Sequence, residues 1–172
     1  MWYSLLRIFD AVVPKDFSSR RVATGVAFGP DPKNLLDLYA PRRVKKPLPL
    51  LIFVHGGGWD SGDRREYSFA GRALAALGFL VAIADYRVFP EVEFPAFVED
   101  LGAAANWLIA NAATYGGDAA RLFLVGHSAG AYNAVIFALA PARFGAPGVA
   151  TSIKAVVGLS GPYDFFPFDV KQ

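Results

Sequence analysis

The sequence predicts an α/β fold, a mainly parallel sheet with helices on both faces. Three observations carry that expectation. Apolar runs of strand length, Leu48 to Val54, Phe79 to Ala84 and Arg121 to Val125, alternate with longer stretches of helical character, Arg65 to Leu77 and Phe94 to Ala113. Strands that are apolar almost throughout have both faces covered, as in a parallel sheet inside a helical coat. The chain is also 54% hydrophobic with a mean hydropathy of +0.33, high for a soluble protein and accounted for by such strands. Its 172 residues are ordinarily one domain, residues 1–172, with room for a substantial core.

Taken in order, Trp2, Leu5, Leu6, Phe9, Val12 and Val13 fall at helical spacing, interrupted by Arg7 and Asp10. They predict an amphipathic helix packed on the body rather than a secretory signal, which needs a basic start and an unbroken apolar core, or a membrane-surface helix, whose polar face would be richer in Lys and Arg. A cytoplasmic location is therefore the default expectation. Arg21 to Phe28 and Leu35 to Tyr39 are two early strands joined by the turn Gly29, Pro30, Asp31, Pro32. The basic cluster Arg42, Arg43, Lys45, Lys46 lies between Pro41 and Pro47 and is expected to be a solvated turn. Leu48 to Val54 is the third strand. The helix from Arg65 to Leu77 ends at Gly78, and Phe79 to Ala84 follows as the fourth strand. After the helix from Phe94 to Ala113 come the strand Arg121 to Val125, the helix Tyr132 to Leu139, a loop over Ala140 to Ala150 and a last strand, Ser152 to Leu159. Leu122 to Ala142 carries no charge and is long enough to cross a bilayer, but the turn Gly126 to Gly130 divides it, so no transmembrane span is expected.

That turn is the pentapeptide Gly126, His127, Ser128, Ala129, Gly130, set between a buried strand and a helix. Glycines on either side of the serine let a crowded bend form where a β-carbon would clash, which makes Ser128 a candidate nucleophile. A second motif, His55, Gly56, Gly57, Gly58, Trp59, follows the strand Leu48 to Val54. Its three glycines leave backbone N–H groups unshielded and able to face an anion. An ester carbonyl attacked by serine becomes such an anion, and removing one such donor typically costs about 3 kcal/mol in barrier.

With Asp37, Leu38, Tyr39 ahead of these motifs, Gly62 and Asp63 between them, then Asp85, Tyr86, Arg87 with Phe89 and Pro90, and Ser160 to Asp164 behind, the chain resembles the α/β-hydrolase superfamily. The likeness is to its esterase/lipase branch, related to hormone-sensitive lipase and the BD-type feruloyl esterases. The resemblance implies Ser128 as the catalytic nucleophile and the N–H groups of Gly57, Gly58 and Ala129 as the oxyanion hole. Ala129 also lies at a helix amino end, where the backbone dipole favours an anion. His55 would shape the glycine loop. Trp59 either lines the acyl or alcohol pocket or anchors the loop in the core, and Tyr86 is a candidate for the pocket wall.

The order of the motifs also raises a difficulty. In this superfamily the acid and the histidine follow the nucleophile, yet the two histidines, His55 and His127, both precede Ser128. His127 adjoins the serine and is expected to point elsewhere. Asp164 comes one strand too early for the usual acid and is expected to brace the Gly161, Pro162 turn. Asp85 and Arg87 are expected to form a structural pair. The chain thus has the look of a C-terminally incomplete α/β-hydrolase domain, lacking the last strands and helices with the triad acid and base.

Other chemistries find no support. A net charge of +2 gives no argument for nucleic acid. The absence of cysteine removes disulfides, thiolate metal sites and a Cys nucleophile. Two separated histidines make no metal site, and Gly56 to Gly58 lack the spacing of a dinucleotide or phosphate loop, so no metal and no cofactor are expected. The expected activity is that of a serine carboxylic-ester hydrolase on a small-molecule ester, with this chain by itself inactive. An arylformamidase-like or peptidase-like hydrolase is the enzymatic alternative, and a non-catalytic truncated or degenerate module is the alternative of another class.

Overall fold

The computed structural model describes residues 5–164. Six strands form one sheet among these residues: β1 Ser19–Ala27, β2 Leu35–Pro41, β3 Leu48–Val54, β4 Leu80–Ala84, β5 Gly117–His127 and β6 Ile153–Leu159, in the spatial order β1-β2-β4-β3-β5-β6. The early hairpin β1/β2 is antiparallel and joins the sheet by an antiparallel β2/β4 pairing; β4, β3, β5 and β6 run parallel. The helices are α1 Leu5–Val12, α2 Ser68–Ala76, α3 Ala96–Asn111 and α4 Ala129–Leu139. The fold is thus the mainly parallel one expected, and its parallel half carries both glycine motifs at the carboxyl ends of β3 and β5.

The alternation of side chains on these strands divides the core in two. Leu50, Ile52 and Val54 of β3 face the same side as Leu122 and Leu124 of β5 and pack with Val98, Leu101, Ala105 and Leu108 of α3. Leu51 and Phe53 face the other side with Val81 and Ile83, under Ala75 of α2 and Tyr67. Every residue of β4 is buried, which is what its unbroken apolar sequence requires. At the outer edge β6 is largely exposed, with Val156, Val157 and Leu159 in contact with solvent.

Several boundaries differ from expectation. The helical stretch expected from Arg65 opens as a 3-10 turn, Arg64–Tyr67, capped by the Asp63 side chain on Arg65 N, so the regular helix starts at Ser68. β5 starts at Gly117, because Leu48 and Pro49 pair with Gly117 and Asp118 ahead of the apolar run. Ala140 to Ala150, expected as a loop, contains two 3-10 turns, Pro141–Phe144 and Pro147–Val149, each opened by a proline whose fixed φ suits a first helical position.

The helix α1 exists and packs on the body, with Leu6 against the core, but most of its apolar residues do not face inward. Asp10 is its buried residue: the carboxylate accepts hydrogen bonds from Ser68 Oγ at 2.7 Å and Phe69 N at 2.7 Å, capping the amino end of α2. A carboxylate at a helix N-terminus satisfies orphan donors and meets the positive end of the dipole. Fixing Asp10 inward sends Leu6 and Val13, at i−4 and i+3, toward the body. Leu5, Ile8 and Val12 are left outward, and Phe9 is half exposed with its ring edge-on to Phe69. No helix of the described residues is long and apolar enough to cross a membrane.

Candidate active site

The bend between β5 and α4 places Ser128 at φ 52° and ψ −121°, a conformation that a residue with a β-carbon rarely adopts. Such a geometry costs on the order of 1–3 kcal/mol and persists only where the surroundings impose it. Here they do. Ser128 N donates to Leu159 O of β6 at 2.8 Å, and Ser128 O accepts from Ala131 N at 2.9 Å to open α4. The helix must also pass close to the end of the neighbouring strand β3, and a β-carbon at Gly130 would lie 2.2 Å from Val54 O and 2.3 Å from His55 O, which only glycine avoids.

The second glycine motif lies directly opposite. A β-carbon at Gly56 would sit 3.1 Å from Ser128 Cβ and 3.0 Å from His127 Nδ1, so the loop and the bend are in contact. Gly57 has φ 137°, and its carbonyl turns away to accept Ser61 N at 3.0 Å and Ser61 Oγ at 2.9 Å. No acceptor among the described residues takes the N–H of Gly57, Gly58 or Ala129. Three backbone donors that no described residue accepts thus lie on the loop and on the helix end that flank Ser128; that of Ala129 is on a buried residue, that of Gly57 on a half-buried one and that of Gly58 on an exposed one.

The loop is braced from below. His55 is fully buried; its Nδ1 lies 2.8 Å from Gly56 O, its Nε2 lies 3.4 Å from Asp85 Oδ1, and its ring stacks on Tyr86 with centroids 4.4 Å apart. The Tyr86 hydroxyl donates to His55 O at 3.0 Å, so Tyr86 is buried as a support beneath the loop. Burial pushes its phenol well above the usual range and keeps that donor protonated. Trp59 is half-buried: Nε1 donates to Asn133 Oδ1 of α4 at 2.9 Å, and the ring meets Tyr132 edge-on and Phe97 at a tilt. These contacts anchor the loop to the helix that follows the serine.

The expected Asp85–Arg87 pair does not form. Asp85 accepts from Arg64 through both the backbone N–H and the guanidinium, whereas Arg87 pairs with Asp100 at 2.8 Å. Neighbouring strands bring Asp37 of β2 beside the same guanidinium, with Arg64 Nε to Asp37 Oδ1 at 3.0 Å. Burial opposes the charge on Arg64, yet Asp85 and then Asp37 hold its pKa above the ordinary arginine value. One guanidinium therefore neutralises two buried carboxylates, one of which lies 3.4 Å from His55 Nε2.

Two further groups were not singled out from sequence. Tyr67 is buried between the motifs: its hydroxyl accepts from Gly56 N at 3.2 Å and lies 3.0 Å from His127 Nδ1, which fixes the spacing of the glycine loop and the bend. Burial raises its pKa, so it remains a hydroxyl able to donate to that ring nitrogen. Asn133 is the other, one helical turn after Ser128. Periodicity places both on inward faces, but a partner across the fold gives no local signal. Asp164 is exposed at the end of the described residues. Among the described residues no group of His, Cys, Asp or Glu side chains could hold a metal ion.

A strand, a sharp serine bend and a helix, faced by a glycine loop on the adjacent parallel strand, define the α/β-hydrolase fold. Residues 36–172 match the BD-FAE family model, and the chain belongs to that family. Its relatives include the isoprenylcysteine alpha-carbonyl methylesterase of Arabidopsis thaliana, 36% identical over 87% of this chain and 36% of that protein. Esterase LipC of Mycobacterium tuberculosis is 37% identical over 81% of this chain and 36% of the relative. In structure the chain is similar to Esterase B of Lactobacillus rhamnosis, with a TM-score of 0.83 and 27% identity over 91% of this chain and 52% of that one. The chain thus spans well under half the length of these curated relatives.

Proposed function

We propose that these residues supply the nucleophile and oxyanion cradle of a serine carboxylic-ester hydrolase. The observation that carries the proposal is the strained Ser128 flanked by three N–H groups that no described residue accepts. Ser128 Oγ attacks the carbonyl carbon of a small-molecule ester. The carbonyl oxygen, now an anion, is received by the N–H groups of Gly57, Gly58 and Ala129, with the amino end of α4 adding its dipole. The tetrahedral centre collapses, the alcohol leaves, and water later releases the acid from the acyl-serine. The esterase names of the relatives support this chemistry.

The proton on Oγ needs a base, and neither histidine suits. His55 is sealed between Gly56 O and Asp85, and the Nδ1 of His127 is engaged by Tyr67. On this proposal the triad acid and base come from outside these 172 residues. The same observation favours the second reading, a non-catalytic module. An Asp or Glu followed by a His in the reading frame beyond Gln172 would favour the enzyme, and a stop codon the module.

The 172-residue chain is therefore expected to hydrolyse p-nitrophenyl esters without efficient turnover, at most at the residual level of about 10³–10⁴ over water left to serine hydrolases stripped of their triad. Steady-state kinetics on purified chain checks this. Full multiple turnover that disappears in Ser128→Ala would assign the base to a histidine of this chain and overturn that part of the proposal.

A further inference from the structure

We infer that α1 and the loop after β2 form a docking surface for an anionic lipid bilayer. An ordinary surface helix turns its apolar face inward; α1 leaves most of its apolar residues outward. With Asp10 buried on α2, the outward residues are Leu5, Ile8, Phe9 and Val12, which are 85%, 50%, 47% and 74% exposed, and the segment that follows adds Phe17 at 85%. Directly after α1, a groove lined by Val13, Pro14, Lys15, Asp16, Phe17 and Phe69 leads from the end of the helix to Phe17. A contiguous exposed apolar patch on a soluble domain marks a contact surface.

Charge selects the occupant. Phe17 is tied to the basic loop, because Arg42 Nε donates to Phe17 O at 2.9 Å and Arg42 N donates to Ser18 O at 2.8 Å. Arg42 and Arg43 are exposed beside Ser18, and Lys45 and Lys46 follow, also exposed, in the same loop. Residues 1–46 hold nine basic and four acidic side chains, a net of +5 in a chain whose total is +2. An apolar helix face edged by cations is the combination that seats in the headgroup region of an anionic membrane, the side chains entering the acyl boundary and the cations meeting lipid phosphate and carboxylate. A second copy of the chain would bring two such basic loops together, which like-charge repulsion opposes.

The test is co-sedimentation of the 172-residue chain with vesicles, which reads binding without ester chemistry. Vesicles of phosphatidylcholine with about one-third phosphatidylserine are compared with phosphatidylcholine alone. The expected result is partitioning at least about tenfold stronger on the anionic vesicles and weakened by high salt. Ile8→Gln with Val12→Gln, at exposed positions, should lower it about tenfold, as should Arg43→Gln with Lys45→Gln and Lys46→Gln, which spares the Arg42 bond. Circular dichroism and melting of each variant confirm that the fold is retained. Absence of vesicle binding, binding indifferent to both variant sets, or self-association through the same residues without vesicle binding would each overturn the inference.

Discussion

Arg64→Met is expected to lower the unfolding free energy by about 3–5 kcal/mol, the range found when one partner of a buried ion pair is removed and the other charge stays behind. Here two carboxylates stay behind. Asp37 is fully buried and Asp85 nearly so, and Arg64 is the guanidinium that reaches both. Arg21 lies 3.7 Å from the other oxygen of Asp37, but it is itself exposed and offers nothing to Asp85. For a domain of this size the loss should lower the melting temperature by roughly 10 °C. Arg64→Lys, which restores a charge without the planar fork, should recover only part of it. Thermal melts of the three proteins check the account, and a melting temperature unchanged in Arg64→Met would remove this network from the stability of the fold.

The second large effect is on rate. In a complete hydrolase that contains these residues, Gly58→Val is expected to reduce kcat by on the order of 10² or more, since a disturbed oxyanion donor acts on the transition state far more than on bound ester. Space is not the obstacle: a β-carbon at Gly58 would meet only the Asp60 side chain, at 3.5 Å and beyond. The obstacle is φ at 61°, which a β-branched residue resists, so the loop must change its backbone and re-aim its N–H groups. Gly57 differs, because a β-carbon there would lie 2.2 Å from Ser61 O and would break the turn itself. Measuring kcat beside the melting temperature separates the two effects. An unchanged kcat would take the loop out of the mechanism.

What the sequence displays and what it conceals follow from the range of the interactions involved. β3 was legible to the residue, Leu48 to Val54, and β4 within one residue, because burial on both faces demands unbroken apolar runs and these have sharp polar ends. The two glycine motifs were legible because their geometry is dictated by local backbone sterics. The partner of Asp85 was not: Arg64 and Arg87 lie on opposite sides of it in sequence, and only the packing of β2 beside β4 decides that Arg64 joins Asp37 and Asp85. The orientation of α1 was concealed for the same reason. Helical spacing shows that apolar residues share a face, but the tie between Asp10 and the start of α2 determines which face is inward. Tyr67 holds its place through Gly56 and His127, sixty residues apart from the latter in sequence, and composition carries no trace of that contact.

The most direct test of the central claim, that Ser128 is the nucleophile, is to locate a trapped adduct. A polypeptide that joins these residues to a triad acid and histidine is treated with a fluorophosphonate ester analogue, digested and mapped by mass spectrometry. The account predicts a single adduct on the peptide that contains Ser128, absent in Ser128→Ala. An adduct on another serine, such as Ser61 or Ser160, with Ser128 unmodified, would contradict it.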